Sequence, residues 1–209
     1  AGSQCDRRQP VASASKPVAA NFSWCQERFR RLADRSGYGW RSCVGGAVLS
    51  RPRGEFVISV EGRDLLLAPG TGRRIRVEDD RLLVPGDPAS AGARVAAWLK
   101  VLARDRLARA STHYAGLVGR PYAALALRDT RSRWGSCSPD GRLMYSWRLI
   151  MAPPAVLDYV AAHEVAHLVE LNHSPAYWRV VSGICPDWKA HRAWLREQGN
   201  TLHRVRFQD

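Results

Sequence analysis

The chain has 209 residues, 45% of them hydrophobic, enough for one folded domain with a real core. Its longest apolar stretches, such as 149–157, sit close to prolines or charges and fall well short of the ~20 residues that span a bilayer; the polar start at 1–10 also lacks a secretory core, so a cytoplasmic protein with no membrane partner is expected. The formal charge of +13 comes mostly from arginine, and is either a field attracting nucleic acid or nucleotides, or simply an arginine-rich solvated surface.

Cys5, Cys25, Cys43, Cys137 and Cys185 make an odd count with no Cys-x-x-Cys pair. That argues against a disulfide framework and against a thiolate zinc site.

In chain order, residues 1–50 offer only a short amphipathic helix at 24–34. Short β-rich runs follow at 56–60, 65–67, 75–77 and 82–84, separated by turn signals at Glu61-Gly62, Pro69-Gly70 and Pro85-Gly86, which predicts a small antiparallel sheet. Residues 89–116 have the composition and spacing of a long helix, with Val95, Trp98, Leu99, Leu102 and Leu107 as its core face. A strand at 123–128 precedes a hairpin in which 133–138 turns at Pro139-Asp140-Gly141 into a strand over 142–151. Pro153 and Pro154 suit a helix start, and helical periodicity runs to 171; short helices at 175–183 and 188–198 complete the chain. The expected fold class is α+β, a small antiparallel sheet packed against a histidine-bearing helix with C-terminal helices. Residues 1–53 form an N-terminal segment of uncertain structure, and 54–209 the catalytic domain.

The chemistry concentrates in His163-Glu164-Val165-Ala166-His167. Two imidazoles four residues apart share one helix face and can hold a metal together. A third ligand cannot come from the same straight helix, so the chain must reverse first. Asn172 tolerates the left-handed conformation that ends helices, and Ser174-Pro175 reads as the cap and first residue of the next one, leaving His173 on the elbow. The spacing His-Glu-x-x-His-x-x-x-x-x-His equals that of the metzincins, with Glu170 where they place a glycine. Three neutral protein ligands leave a fourth position for water, which defines a catalytic zinc site with one ion per chain. Glu164 is placed to act on a zinc-bound water as general base. Glu170 could orient an imidazole from outside the ligand set or simply cap the helix. Tyr177 and Arg133 are candidates for the oxyanion, and Trp134 either borders the substrate or belongs to the core. Cys137 is not needed as a nucleophile where zinc activates water.

Arg133-Trp134-Gly135-Ser136-Cys137-Ser138, the strand with Trp147-Arg148-Leu149, His163 to His167, Asn172-His173-Ser174 and Trp178 together resemble the YgjP-like zinc metallopeptidases, relatives of the SprT-like proteins. The resemblance is close over 125–198 and weaker over 54–124, and residues 1–50 lack the basic strand and tryptophan-bearing helix with which such proteins usually begin. It implies a compact zincin-like fold, with His163, His167 and His173 as zinc ligands and Glu164 as the catalytic acid/base. In zincins an edge strand beside the active-site helix pairs with extended substrate, which points to 131–138.

The leading reading is therefore a zinc-dependent metallopeptidase acting on polypeptides. A phosphohydrolase acting on nucleotides keeps the same metal and is motivated by Arg128, Arg131 and Arg133. A SprT-like protease associated with nucleic acid is the third reading, marked by binding that weakens with salt.

Overall fold

Glu61 and Gly62 both have positive φ, 49° and 72°, the two-residue turn whose twist matches that of paired strands. They join β2 (Phe56–Val60) to β3 (Arg63–Gly70) in the computed structural model of the chain, which describes residues 49–50 and 56–207. The helix expected at 24–34 lies outside the described residues.

The first sheet has the order β1 (Leu49–Ser50), β2, β3, β5 (Arg81–Pro85), β4 (Arg76–Glu78). The runs read from sequence are all strands, but the sheet is mixed rather than antiparallel: β3 and β5 pair in parallel, Leu66 opposite Arg81 through Gly70 opposite Pro85. Burial decides this order. All three residues of β4 are exposed, whereas β5 buries Leu82 and Val84, so β5 takes the inner position and β4 the edge.

Helix α1 (Ala91–Val118) ends on Gly119 in the left-handed conformation. Val95, Leu99, Ala103 and Leu107, each four residues on from the last, are at most 1% exposed. Ala110, Ser111 and Ala115 continue the buried stripe, while Trp98 and Leu102 pack at its margin. Ser111 Oγ lies 2.9 Å from Tyr145 Oη, satisfying two buried hydroxyls and tying α1 to the second sheet.

That sheet has the order β6 (Ala124–Arg128), β8 (Arg142–Ser146), β7 (Gly135–Cys137), with β6 parallel and β7 antiparallel to β8. Gly141, at φ 75°, closes the β7–β8 turn. The strand expected over 142–151 stops at Ser146, and Trp147–Met151 forms a 3-10 helix. Leu149, Ile150, Met151 and Ala152 are all buried in succession, a demand that a strand with two opposite faces cannot meet when one face is open.

Arg148 ends this segment as a hub. Its Nε donates to Asp129 Oδ1 at 2.6 Å, its Nη1 donates to the carbonyls of Leu202 and Val205 at 3.0 and 2.8 Å, and its guanidinium carbon lies 4.8 Å from the Trp147 ring centroid. One side chain thus satisfies the end of the last helix and fastens the C-terminal stretch to the core.

Three further helices follow: α2 (Pro154–Ala166), α3 (Pro175–Ile184) and α4 (Trp188–Leu202). The β2–β3 turn docks on the start of α2. Glu61 N donates to Ile150 O at 2.7 Å, and Arg106 of α1 bonds Glu61 at 2.7 Å and lies 3.7 Å from Asp158 of α2. Among the described residues no helix is long and apolar enough to cross a membrane.

Candidate metal centre

Helix α2 begins as its two prolines require, with Pro153 as cap and Pro154 in the first turn. It runs to Ala166 with His167 as its C-cap, five residues short of the expected 171. The last turn tightens: the amides of His167, Leu168 and Val169 bond the carbonyls of Glu164, Val165 and Ala166, three residues back, at 3.3, 2.9 and 3.0 Å. Reversal is then completed with Ser174 N donating to Asn172 O at 2.7 Å. Asn172 is not left-handed as expected; among the described non-glycine residues only Glu61 and Asp79 have positive φ. The tight 3-10 turns make the left-handed residue unnecessary. Ser174 caps α3 as expected, its Oγ accepting from Tyr177 N at 3.3 Å.

This path brings His163, His167 and His173 together, with one ligand nitrogen from each lying within 4.8 Å of the others. His163 Nε2 and His173 Nε2 are 3.1 Å apart. Two Zn–N bonds of ~2.0–2.1 Å at a tetrahedral angle place their nitrogens roughly 3.3–3.4 Å apart, so the pair is spaced to share one small cation. His167 Nδ1 faces the Glu170 carbonyl at 3.0 Å; donating its proton there leaves Nε2 free as a ligand. His163 is held down to about pKa 3 by burial, then by its two histidine neighbours and Arg192, and His167 is lowered mainly by burial. Both are therefore neutral at pH 7, the form that binds metal. On donor type and spacing the triad fits zinc.

Glu164 projects from α2 onto β7, directly over Gly135. It is 5% exposed, and burial pushes its carboxyl up to about pKa 8 against the opposing charge of Arg133. Among the described residues β7 pairs with β8 alone, which leaves its other side an unpaired edge there, and Glu164 covers the face of the strand at Gly135.

The remaining sequence candidates take varied places. Glu170 meets His167 through its backbone carbonyl rather than its carboxylate. Tyr177 is fully buried: its ring stacks on His167 at 4.5 Å, and its hydroxyl donates to the His163 carbonyl at 2.9 Å, so that hydroxyl is already engaged. Trp134 stacks on His203 at 4.9 Å and packs against Gly199 of α4, half-buried. Arg133 is exposed near Glu164. Burial raises the Cys137 thiol to about pKa 11, helped by Glu164 and Asp140, which keeps it un-ionised at neutral pH.

Sequence reasoning gave no role in the site to three neighbours, of which Trp178 alone figures in the family resemblance. Tyr159 lies one turn before His163 on the same face, 5.8 Å ring to ring, and the spacing of four could have revealed it. Trp178 stacks on His173 at 5.9 Å, and Arg192 sits 5.2 Å from the Trp178 centroid. Arg192 comes from a separate helix, and no local pattern announces it.

Among solved structures, the chain is similar to the metallopeptidase zymogen of Pyrococcus abyssi abylysin, with 18% identity and a TM-score of 0.41 over 44% of this chain and 95% of that one. It matches no curated protein. The profile of the YgjP-like, metallopeptidase domain family matches residues 10–198, reaching well into the N-terminal segment where no family pattern was legible. A match over that much of 209 residues settles the family: the chain belongs to the YgjP-like metallopeptidases.

Proposed function

We propose that the protein is a zinc-dependent peptidase of zincin-like fold, in which His163, His167 and His173 hold one ion, Glu164 is the general base, and residues 54–209 form the catalytic domain. The observation that carries the reading is the convergence of three ligand nitrogens within 4.8 Å, with the residue after the first of them a buried carboxyl that overlies β7, whose far side is unpaired among the described residues. A zinc ion bound there would polarise a substrate carbonyl and acidify water.

The chain's own residues supply the rest. Glu164 Oε1 takes a proton from the attacking water and returns it to the leaving amine. Its raised pKa brings it near neutral in proton affinity, as both steps require. The backbone groups of β7 that are unpaired among the described residues align an extended peptide by main-chain hydrogen bonds. Tyr177 supports the site from behind, holding the His163 carbonyl and the face of His167.

Incubation of the zinc-loaded protein with a mixed peptide library, and separately with nucleoside triphosphates, tests the assignment. Peptide cleavage that Glu164→Gln abolishes without loss of zinc is expected. Nucleotide hydrolysis without peptide cleavage, collapsing in Arg133→Gln, would overturn the peptidase reading in favour of a phosphohydrolase. A chain starting at Arg51 should still bind zinc; an unfolded or zinc-free product would reject the proposed domain boundary.

A further inference from the structure

Arg192 lies on α4, one turn after its start, and its guanidinium carbon sits 5.2 Å from the centroid of Trp178. Trp178 is itself fixed from two sides. It stacks on Trp188 at 4.3 Å with the ring planes 22° apart, and on His173 at 5.9 Å with planes 27° apart, and its centroid is 6.0 Å from that of His163. A stable positive charge therefore stands one indole ring away from two of the three metal donors. The same charge acts on His163 and on Tyr159.

An exposed arginine ordinarily finds a carboxylate or stays mobile in water. Among the described residues the ion pairs engage Arg76, Arg106, Arg142 and Arg148, and none involves Arg192. Resting over an indole face restricts the guanidinium while leaving its N–H groups available, because the ring accepts no directional hydrogen bond from them. Glu164, which follows His163 in the chain, is buried against β7, and it is not among the ion-paired acids either. A pre-set fork of donors at the rim of a hydrolytic site suits a planar carboxylate.

We propose that Arg192 is a specificity-determining residue that receives a carboxylate of the peptide substrate close to the scissile bond. The proposal rests on the peptidase reading and names its substrate class as acidic peptides. Two sources offer the same chemistry, an Asp or Glu side chain and a free C-terminus.

Binding rather than turnover gives the test, with the zinc-loaded full chain carrying Glu164→Gln so that peptides are not consumed. Fluorescently labelled peptides of one sequence, bearing Glu, Gln or Lys at each position in turn and with free or amidated C-termini, are titrated by anisotropy. The acidic or free-terminus peptide should bind about five- to tenfold more tightly than its neutral counterpart, the range expected of a charge-assisted contact partly screened by water. Adding Arg192→Gln should erase that preference while the neutral peptide binds as before, and Arg192→Lys should restore part of it. Zinc content and thermal unfolding establish that both variants are folded. A preference that follows the free terminus alone assigns the carboxylate to the chain end; one that follows Glu assigns it to a side chain. Peptide binding with no charge preference, or a preference that persists in Arg192→Gln, overturns the role of Arg192 and leaves the peptidase reading standing. Absence of binding to every peptide overturns both.

Discussion

Gly135 of β7 and Glu164 of α2 compete for the same space: a Cβ on the glycine would fall 2.5 Å from Glu164 Oε1 and 2.6 Å from its Cγ. The strand can carry only glycine at this point if the glutamate is to lie where it does. Gly135→Ala should therefore displace the carboxyl and leave the three histidines untouched. The expected result is loss of peptide hydrolysis by about 10²-fold or more, the usual contribution of a positioned general base, with zinc content unchanged. Hydrolysis at the parental rate in a folded Gly135→Ala protein would remove Glu164 from the mechanism or show that the carboxyl moves into place from elsewhere.

Tyr177 bonds a carbonyl in the last turn of α2, where the helix tightens. The His167 amide reaches Glu164 O at 3.3 Å, and the His163 carbonyl accepts from the Tyr177 hydroxyl at 2.9 Å. Tyr177→Phe should cost about 0.5–1.5 kcal/mol, because it removes the donor from a part-buried carbonyl while keeping the ring on His167. Denaturant unfolding of the zinc-free protein measures it. No change in stability would mean that water replaces the hydroxyl.

Removal of the metal should lower stability, and readdition should restore it. An ion that binds only the folded chain adds about 2.7 kcal/mol at a free concentration 100 times its Kd. His173→Ala should lose both the bound zinc and this stabilisation. Full zinc retention in that variant, by elemental analysis, would assign the third ligand to another residue.

Asp129 should make the C-terminal fastening sensitive to acid. Burial alone would raise its pKa, but the hydrogen bond and charge of Arg148, with His203 and Lys100 behind them, bring it below the ordinary 3.8. A carboxyl whose folded-state pKa is lowered contributes stability that is complete above the ordinary value and is lost as the pH falls through the lowered one. Its side chain is 47% exposed, so solvent screening limits the contribution to about 1 kcal/mol or less. Acid unfolding of Asp129→Asn should accordingly show a flatter fall below pH ~4. An unchanged profile would show that Arg148 holds the Leu202 and Val205 carbonyls equally well without its carboxylate.

Local chemistry was enough to bring His163, His167 and His173 together as a candidate triad. His163 and His167 lie four apart in a segment with a proline start, and Ser174-Pro175 announces the next helix, so His173 had to sit at the bend; each inference depends only on helix geometry and capping. Strand positions were legible for the same reason, since alternation and turn residues act over a few neighbours. Their pairing was not. The parallel partnership of β3 with β5 is set by which strand has apolar side chains to bury, a competition across the whole sheet. The 3-10 turn at Trp147–Met151 likewise buries Trp147, Leu149, Ile150 and Met151, and covering them takes elements distant in sequence. The proximity of Gly135 to Glu164, of Tyr177 to the His163 carbonyl, and of Arg192 to Trp178 was decided by tertiary packing alone, because each joins residues whose separation in the chain carries no periodic signal.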